Sequence, residues 1–166
     1  MKKGMALILL LALFSLSGCR YYDTGSDQAD RTLEQMIQAI EDQDAASVQA
    51  MFAPNAIDSA ENMDEMTAAL FDFYEGEMIS YKRYGPATYE SKHGDFHTKR
   101  LEVSYDVTTS EGNVRIAMQI CIIDSENPPN VGMSSFYIIK AEDTDTSHAY
   151  WGDQLWSPGI NVDDRE

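Results

Sequence analysis

Apolar residues in the first half of the chain recur every three or four positions, which is the spacing of one helix face. A first helix is predicted from Leu33, Met36, Ile37 and Ile40. Asp27 or Asp30 is placed to cap its first turn. The stripe needs a partner surface, so we expect this helix to pack against other elements.

Two further helices follow, each with a capping residue. Asp44 can cap a second, shorter helix, which we expect Pro54 to stop. Its apolar side is formed by Val48, Met51 and Phe52. Asn62 and Glu65 have the spacing of a capping box and open a third helix that closes at Gly76. Its apolar positions are Met63, Met66, Leu70 and Phe71.

From Glu77 onward the apolar period changes to two, the period of strands with one buried face. A strand is predicted from Met78 to Glu90, bent or bulged near Gly85-Pro86, and Gly94-Asp95 supplies a hairpin turn. The next strand alternates, and its core face is predicted to hold Leu101, Val103, Tyr105 and Val107.

Two more strands complete the predicted sheet. After a turn at Gly112-Asn113, Val114 to Ile123 is apolar on both faces, as expected of a central strand. A turn at Asn127–Asn130 leads to a last strand over 131–141. Helices followed by hairpin-connected strands predict an α+β fold, with three N-terminal helices packed on a curved antiparallel sheet of about four strands.

The N-terminus has a different pattern. Lys2 and Lys3 precede an apolar run from Met5 to Leu16, which is too short to span a membrane permanently and fits a signal peptide. The run ends in Leu16-Ser17-Gly18-Cys19, which resembles the lipobox of bacterial lipoproteins. An ordinary secretory signal is the alternative, but it leaves the cysteine unexplained.

This organisation predicts four regions: a signal peptide at 1–18, a lipidated Cys19 with a flexible tether over 19–28, a single domain at 29–146, and an aromatic tail at 147–166. The tail holds Trp151 and Trp156, which either fold back over the domain or form a partner-binding patch; we expect the first. The lipid implies an extracytoplasmic location at the cell membrane.

The net charge and the cysteine content limit the partners and the thiol chemistry that we expect of the domain. A net charge of −16 excludes nucleic acid as a partner and makes anionic lipid headgroups repulsive, so the lipid on Cys19 is the expected membrane contact. Cys121 is the second cysteine, and its apolar surroundings predict an unreactive buried thiol.

Three helices ahead of about four strands resemble the cone-shaped fold of the nuclear transport factor 2-like, or cystatin-like, superfamily. More narrowly, the lipobox, Leu33 to Ile40 and Leu70–Gly76 ahead of Met78–Tyr81 resemble a family of lipoproteins described as a domain of unknown function. The superfamily resemblance implies a pocket at the open end of the cone, used for catalysis in some members and for binding in others. It also implies a homodimer through the sheet.

The candidate pocket residues are Tyr74, Tyr105, Gln119 and Tyr137. The tyrosines could project inward as ligand contacts or as core side chains, and Gln119 is the odd polar residue of an apolar strand. An isomerase-like enzyme would need a carboxylate base in the pocket, but alternation places Asp106 on the solvent face. We therefore assign no catalytic residue.

No cofactor or metal site is expected. His93 and His97 flank a turn, but two histidines without a third ligand do not make a metal site. The chain has no Gly-rich phosphate loop and no Gly-x-Ser-x-Gly motif. The leading hypothesis is a noncatalytic domain that binds a small molecule or a surface protein. The alternatives are a small isomerase-like or hydrolase-like enzyme and a structural spacer in an envelope complex.

Overall fold

The computed structural model describes residues 25–142 and 157–163. Cys19, the signal peptide and most of the aromatic tail lie outside these ranges, so the predictions made for them are not addressed by the fold. None of the helices within the ranges is long and apolar enough to cross a membrane.

Four helices occupy the first half of the described chain: α1 (Gly25–Glu41), α2 (Ala45–Ala50), α3 (Pro54–Ser59) and α4 (Met63–Phe73). Asp44 caps α2 by accepting a hydrogen bond from the backbone N–H of Ser47, at 3.0 Å. Asn62 caps α4 in the same way, accepting from the N–H of Glu65. The predicted caps of these two helices are therefore confirmed, whereas Asp27 and Asp30 lie inside α1, so the cap predicted for the first helix is wrong.

The prediction of three helices is wrong, because Pro54 begins a helix that was not expected. α2 ends at Ala50, and Pro54 occupies the first turn of α3. Proline suits that position since it has no N–H to satisfy and its φ is already helical. The first helix also begins at Gly25, so the last residues assigned to the tether are helical.

The sheet has five strands in the described residues: β1 (Met78–His93), β2 (Phe96–Thr109), β3 (Asn113–Asp124), β4 (Gly132–Lys140) and β5 (Gly159–Asp163). They lie in the order β1-β2-β3-β4-β5, and a 3₁₀ turn at Pro128–Asn130 joins β3 to β4. β1 to β4 are antiparallel neighbours, whereas β5 runs parallel to β4. The fold is thus α+β with a mixed sheet, and the prediction of about four antiparallel strands is wrong in strand number and in the direction of the last pair.

Strand alternation divides the sheet into two faces. The helix-side face carries the core, and its residues are buried against the helices: Leu101, Val103, Tyr105, Val107, Ile116, Met118, Phe136 and Ile138. The opposite side is called the outer face here. In the register, Arg100 pairs with Cys121 and Gln119 pairs with Ser135, and all four lie on this outer face because their neighbours belong to the core. The predicted bulge near Gly85-Pro86 is confirmed by a register shift between Tyr84 and Ala87.

Candidate functional site

The four predicted pocket residues do not share a pocket, because they lie on different faces of the sheet or at its end. Tyr105 is on the helix side of β2, where it is fully buried, and Tyr74 follows α4. Gln119 and Tyr137 are on the outer face of β3 and β4. The structure therefore separates the tyrosines that face the core from the polar residues of the outer face.

Tyr105 is held by a network that joins α1 to the sheet. Its hydroxyl donates to Oδ1 of Asp30 at 2.9 Å, and Oδ2 of Asp30 pairs with Arg83 at 2.5 Å. Its ring meets that of Tyr81 edge to face, with the centroids 5.6 Å apart. Burial raises the pKa of Tyr105, and the hydrogen bond to Asp30 raises it further. The tyrosine is therefore a neutral donor.

Tyr81 and Tyr74 attach the sheet to α1 on either side of this network. The Tyr81 hydroxyl donates to Glu34 at 2.9 Å, and burial followed by that hydrogen bond raises the pKa of Tyr81 to about 12. The Tyr74 hydroxyl donates to Oε1 of Glu41 at 3.2 Å, an oxygen that also accepts from the backbone N–H of Met78 at 2.7 Å. Both hydroxyls are therefore used in hydrogen bonds that hold the sheet against α1.

Asp106 is on the outer face, as predicted, but it is paired. Its carboxylate accepts from Nε of Arg115 at 2.6 Å and from the hydroxyl of Tyr84. Burial alone would raise the pKa of Asp106, but the hydrogen bonds from Arg115 and Tyr84 outweigh it, so the pKa lies below its ordinary value. Lys82 and Arg115 also lie over the Tyr84 ring. Asp106 is therefore an ionised member of an ion pair.

Both polar atoms of the Gln119 side chain are hydrogen-bonded to neighbouring side chains. Its Nε2 donates to Glu102 at 3.0 Å, and its Oε1 accepts from the Ser134 hydroxyl at 2.8 Å. The Tyr137 hydroxyl accepts from the backbone N–H of Ser157 at 2.6 Å, which ties the start of the C-terminal segment to β4. Of the four predicted residues, Gln119 is the one that borders the cavity described next.

A polar cavity of about 280 Å³ opens between α3, the 3₁₀ turn and the outer face of β2, β3 and β4. Its lining residues are Ala53, Asn55, Ala56, Ser59, Arg100, Gln119, Cys121, Asn130, Ser134, Ser135 and Pro158. The lining includes a cation, Arg100, and no acidic residue. The volume is slightly below the range of about 300 to 1,000 Å³ that is usual for ligand sites, so the cavity has room only for a small molecule.

The amides around the cavity are fixed by one another. Asn55 on α3 donates to Oδ1 of Asn130 at 2.7 Å, and Nδ2 of Asn130 donates to Asp124 at 2.8 Å. Asp124 also accepts from the backbone N–H of Asn127. This chain of bonds holds α3 and the 3₁₀ turn at a set distance from the strands, so the cavity is preformed.

Cys121 is buried in the cavity floor. Burial raises the pKa of the Cys121 thiol, and the charge of Asp124 adds to the rise, while Arg100 opposes it. The thiol is therefore protonated near neutral pH, and the prediction of an unreactive buried cysteine is supported by its environment.

A wider groove of about 680 Å³ runs along α1 and α2. Its polar side chains are all exposed: Arg31, Glu34, Gln35, Gln38, Asp42, Asp44 and Ser47. A site whose polar side chains are all exposed has no buried polar group to fix a ligand. The polar cavity is the better candidate because buried residues form its floor.

The histidines at the β1–β2 turn do not face each other. His97 pairs with Lys92 in the register, and its Nε2 lies 2.9 Å from Oε1 of Glu90. Within residues 25–142 and 157–163, no three His, Cys, Asp or Glu side chains gather closely enough to hold a metal ion.

Sequence reasoning missed Arg100 and Ser135. The alternation placed Arg100 on the solvent side of β2, but nothing in the sequence indicated that α3 would complete a cavity beside it, since α3 itself was not predicted. Ser135 gave no signal, as a serine in a strand between apolar residues is common.

The described domain matches a known protein family. The comparison with curated proteins gave no match. A family model described as "Domain of unknown function (DUF5104)" matches residues 35–141. The match covers the C-terminal part of α1 and all elements from α2 to β4, including most of the cavity lining. The chain belongs to this family of domains of unknown function, DUF5104.

Proposed function

We propose that this chain is a bacterial lipoprotein, anchored on the extracytoplasmic face of the membrane by a lipid on Cys19, whose domain binds a small molecule without transforming it. The anchor is supported by the apolar run from Met5 to Leu16 and by the lipobox that ends it. We also propose that the fold is of the nuclear transport factor 2-like type and that the domain forms a homodimer through its sheet.

The polar cavity carries the binding proposal. Its floor holds buried residues, Cys121 and Ser135, and its walls are amides locked in place by mutual hydrogen bonds. A preformed site with few polar anchors is typical of ligand binding. A small molecule is favoured over a protein because the cavity volume of about 280 Å³ admits no larger group.

The noncatalytic part of the proposal is supported by the carboxylates. An isomerase-like site needs a carboxylate base that faces an open apolar space. Asp30 is already bound to Tyr105 and Arg83, and Asp106 is bound to Arg115 and Tyr84. Both are therefore already hydrogen-bonded to partners within the fold and face no open apolar space.

The anchor is tested by Cys19→Ala in the full chain expressed in a bacterium. Metabolic labelling with a fatty-acid analogue should mark the wild-type chain and not the variant, and the variant should leave the membrane fraction. Cys121→Ala is the matched control and should keep both label and location. An unlabelled wild-type chain, or a labelled Cys19→Ala chain, would refute the anchor.

Binding is tested by recording ¹H–¹⁵N spectra of the full chain in detergent with a set of small polar molecules. We expect shifts in the side-chain amide signals of Asn55, Gln119 and Asn130, with the compounds recovered unchanged. Conversion of a compound, lost in Asp30→Asn or Asp106→Asn, would contradict the noncatalytic assignment. Shifts elsewhere, with none at these amides, would place the ligand site outside the cavity.

A further inference from the structure

We infer that the polar cavity takes a small molecule through an anionic group, a carboxylate or a phosphate, held by Arg100 at the cavity rim and Ser135 in its floor. This inference rests on the proposed function and specifies its ligand class. Three observations support it. Arg100 has no carboxylate partner in the described part of the chain, Ser135 is a buried residue that borders the cavity, and the cavity lining contains no acidic residue.

Arg100 is an exposed cation beside the Cys121 thiol, and no carboxylate pairs with it in the described part of the chain. This is notable because the chain has 28 acidic and 12 basic residues. Arg83 and Arg115, by contrast, are each paired with an aspartate. A guanidinium presents planar paired donors that match a carboxylate or phosphate, so an Arg100 at a cavity rim is suited to such a group.

Two nearby acids do not pair with Arg100. Asp124 is close enough to Arg100 for its pKa to be lowered by it, but its oxygens accept first from Asn130 and from the N–H of Asn127. Glu102, on the same sheet face, accepts from Gln119. Both acids are outside the lining, so the polar groups that border the space are Arg100, the hydroxyls and the amides, with no carboxylate among them.

Ser135 supplies the second observation. The residue is 1% exposed and borders the cavity, and it lies on the same sheet face as Arg100. A hydroxyl both donates and accepts hydrogen bonds, so Ser135 can donate to a ligand oxygen in the cavity.

The experiment titrates the full chain in detergent with propionate, inorganic phosphate and the neutral isostere propionamide, at constant ionic strength. The side-chain amide signal of Gln119 reports occupancy. We expect propionate or phosphate to shift it, and propionamide to bind more weakly. Whether propionate or phosphate binds tighter identifies the anionic group, and either result supports the inference.

The variants test the two anchors. Arg100→Gln should weaken anion binding about 10- to 100-fold, as expected for loss of a charge-assisted pair. Ser135→Ala should weaken it about 3- to 10-fold, as for one neutral hydrogen bond. Lys99→Gln removes the same charge from the adjacent residue, which points to the other face of β2, and should leave binding unchanged.

Several results would overturn the inference. Equal binding of propionate to wild type and Arg100→Gln, or equal binding of propionamide and propionate, would show that the anion is not recognised. If neutral molecules shift the cavity amides and anions bind no more tightly than they do, the proposed function stands and the inference falls. If no compound of either kind shifts them, both fall.

Discussion

The hydroxyl of Tyr105 on β2 donates a 2.9 Å hydrogen bond to Asp30 on α1, across the interface between the long helix and the sheet. Arg83 on β1 binds the other oxygen of the same carboxylate. One aspartate therefore fixes the position of α1 over two strands. The hydrogen bonds of Asp30 therefore hold the helix on the sheet.

Removing the hydroxyl should measure that role. Tyr105→Phe leaves the ring in place and loses a buried hydrogen bond to a charged group, so we expect the free energy of unfolding to fall by about 1.5 to 3 kcal/mol. Urea denaturation measures it. Tyr89→Phe is the control, since Tyr89 is 56% exposed, and should change little. Equal effects of the two substitutions would contradict the structural role.

Gly132 allows the chain before α3 to approach β4. It has φ +131°, and a Cβ added there would lie 2.7 Å from the backbone nitrogen of Ala53. Gly132→Ala should therefore destabilise the fold by about 1 to 3 kcal/mol, through strain and displacement of the segment that leads into α3.

The control for that substitution is Gly112→Ala. Gly112 has no atom within 4 Å of an added Cβ, and its φ is not in the left-handed region. We expect a thermal midpoint close to wild type for Gly112→Ala and a clearly lower one for Gly132→Ala. A Gly132→Ala chain as stable as the Gly112→Ala chain would mean that α3 does not dock against β4 in this way.

Asp106 should make stability depend on pH. Because its folded pKa lies below the ordinary value, its pairing with Arg115 and Tyr84 stabilises the fold above about pH 4 and loses that effect as pH falls through the folded pKa. Asp106→Asn should cost about 1 to 2 kcal/mol at pH 7, since the pair is partly buried. The gap from wild type should close in acid.

Denaturation at a series of pH values, with Asp72→Asn as an exposed control, measures this effect. A gap between Asp106→Asn and wild type that stays constant from pH 7 to pH 3 would show that the carboxylate charge contributes nothing to the pair.

Cys121 should react slowly. In a Cys19→Ala chain it is the sole thiol, and its burial and raised pKa predict slow reaction with an aromatic disulfide reagent near pH 8. The rate should rise steeply above pH 9, and the same chain in urea should react at the rate of an ordinary thiol. A fast native reaction at pH 7 would indicate an activated thiolate and reopen the case for catalysis.

Features that depend on local sequence were predictable. The caps at Asp44 and Asn62 follow from a side chain that bonds a backbone N–H three residues on. The buried face of β2 follows from alternation, because a strand has two faces and the tertiary fold decides only which one is covered.

Features that depend on distant contacts were not predictable. α3 has six residues and little amphipathic pattern, and it is held by its contacts with β4 and the 3₁₀ turn. β5 has five residues and follows a tail with no clear period, so its pairing with β4 depends on the edge that β4 offers. Short elements gain their stability from tertiary packing rather than from propensity.

The residues of the candidate site were likewise predictable only where the local sequence indicated them. Gln119 was recognised as an unusual polar residue, and it does border the cavity. Asn55, Arg100 and Ser135 join it from three other elements, and only the folded chain brings them together. Tyr105 and Tyr74 are buried, and their hydroxyls are bound to carboxylates of α1.

The most direct test of the account blocks the cavity. Ser59 is an exposed lining residue on α3, so Ser59→Trp should fill the opening without disturbing the core, whereas Asp58→Trp adds the same ring beside it and outside the lining. Calorimetric titration of both chains with the tightest-binding small molecule compares them. The account predicts that binding is lost in Ser59→Trp and kept in Asp58→Trp; unchanged binding in Ser59→Trp would contradict it.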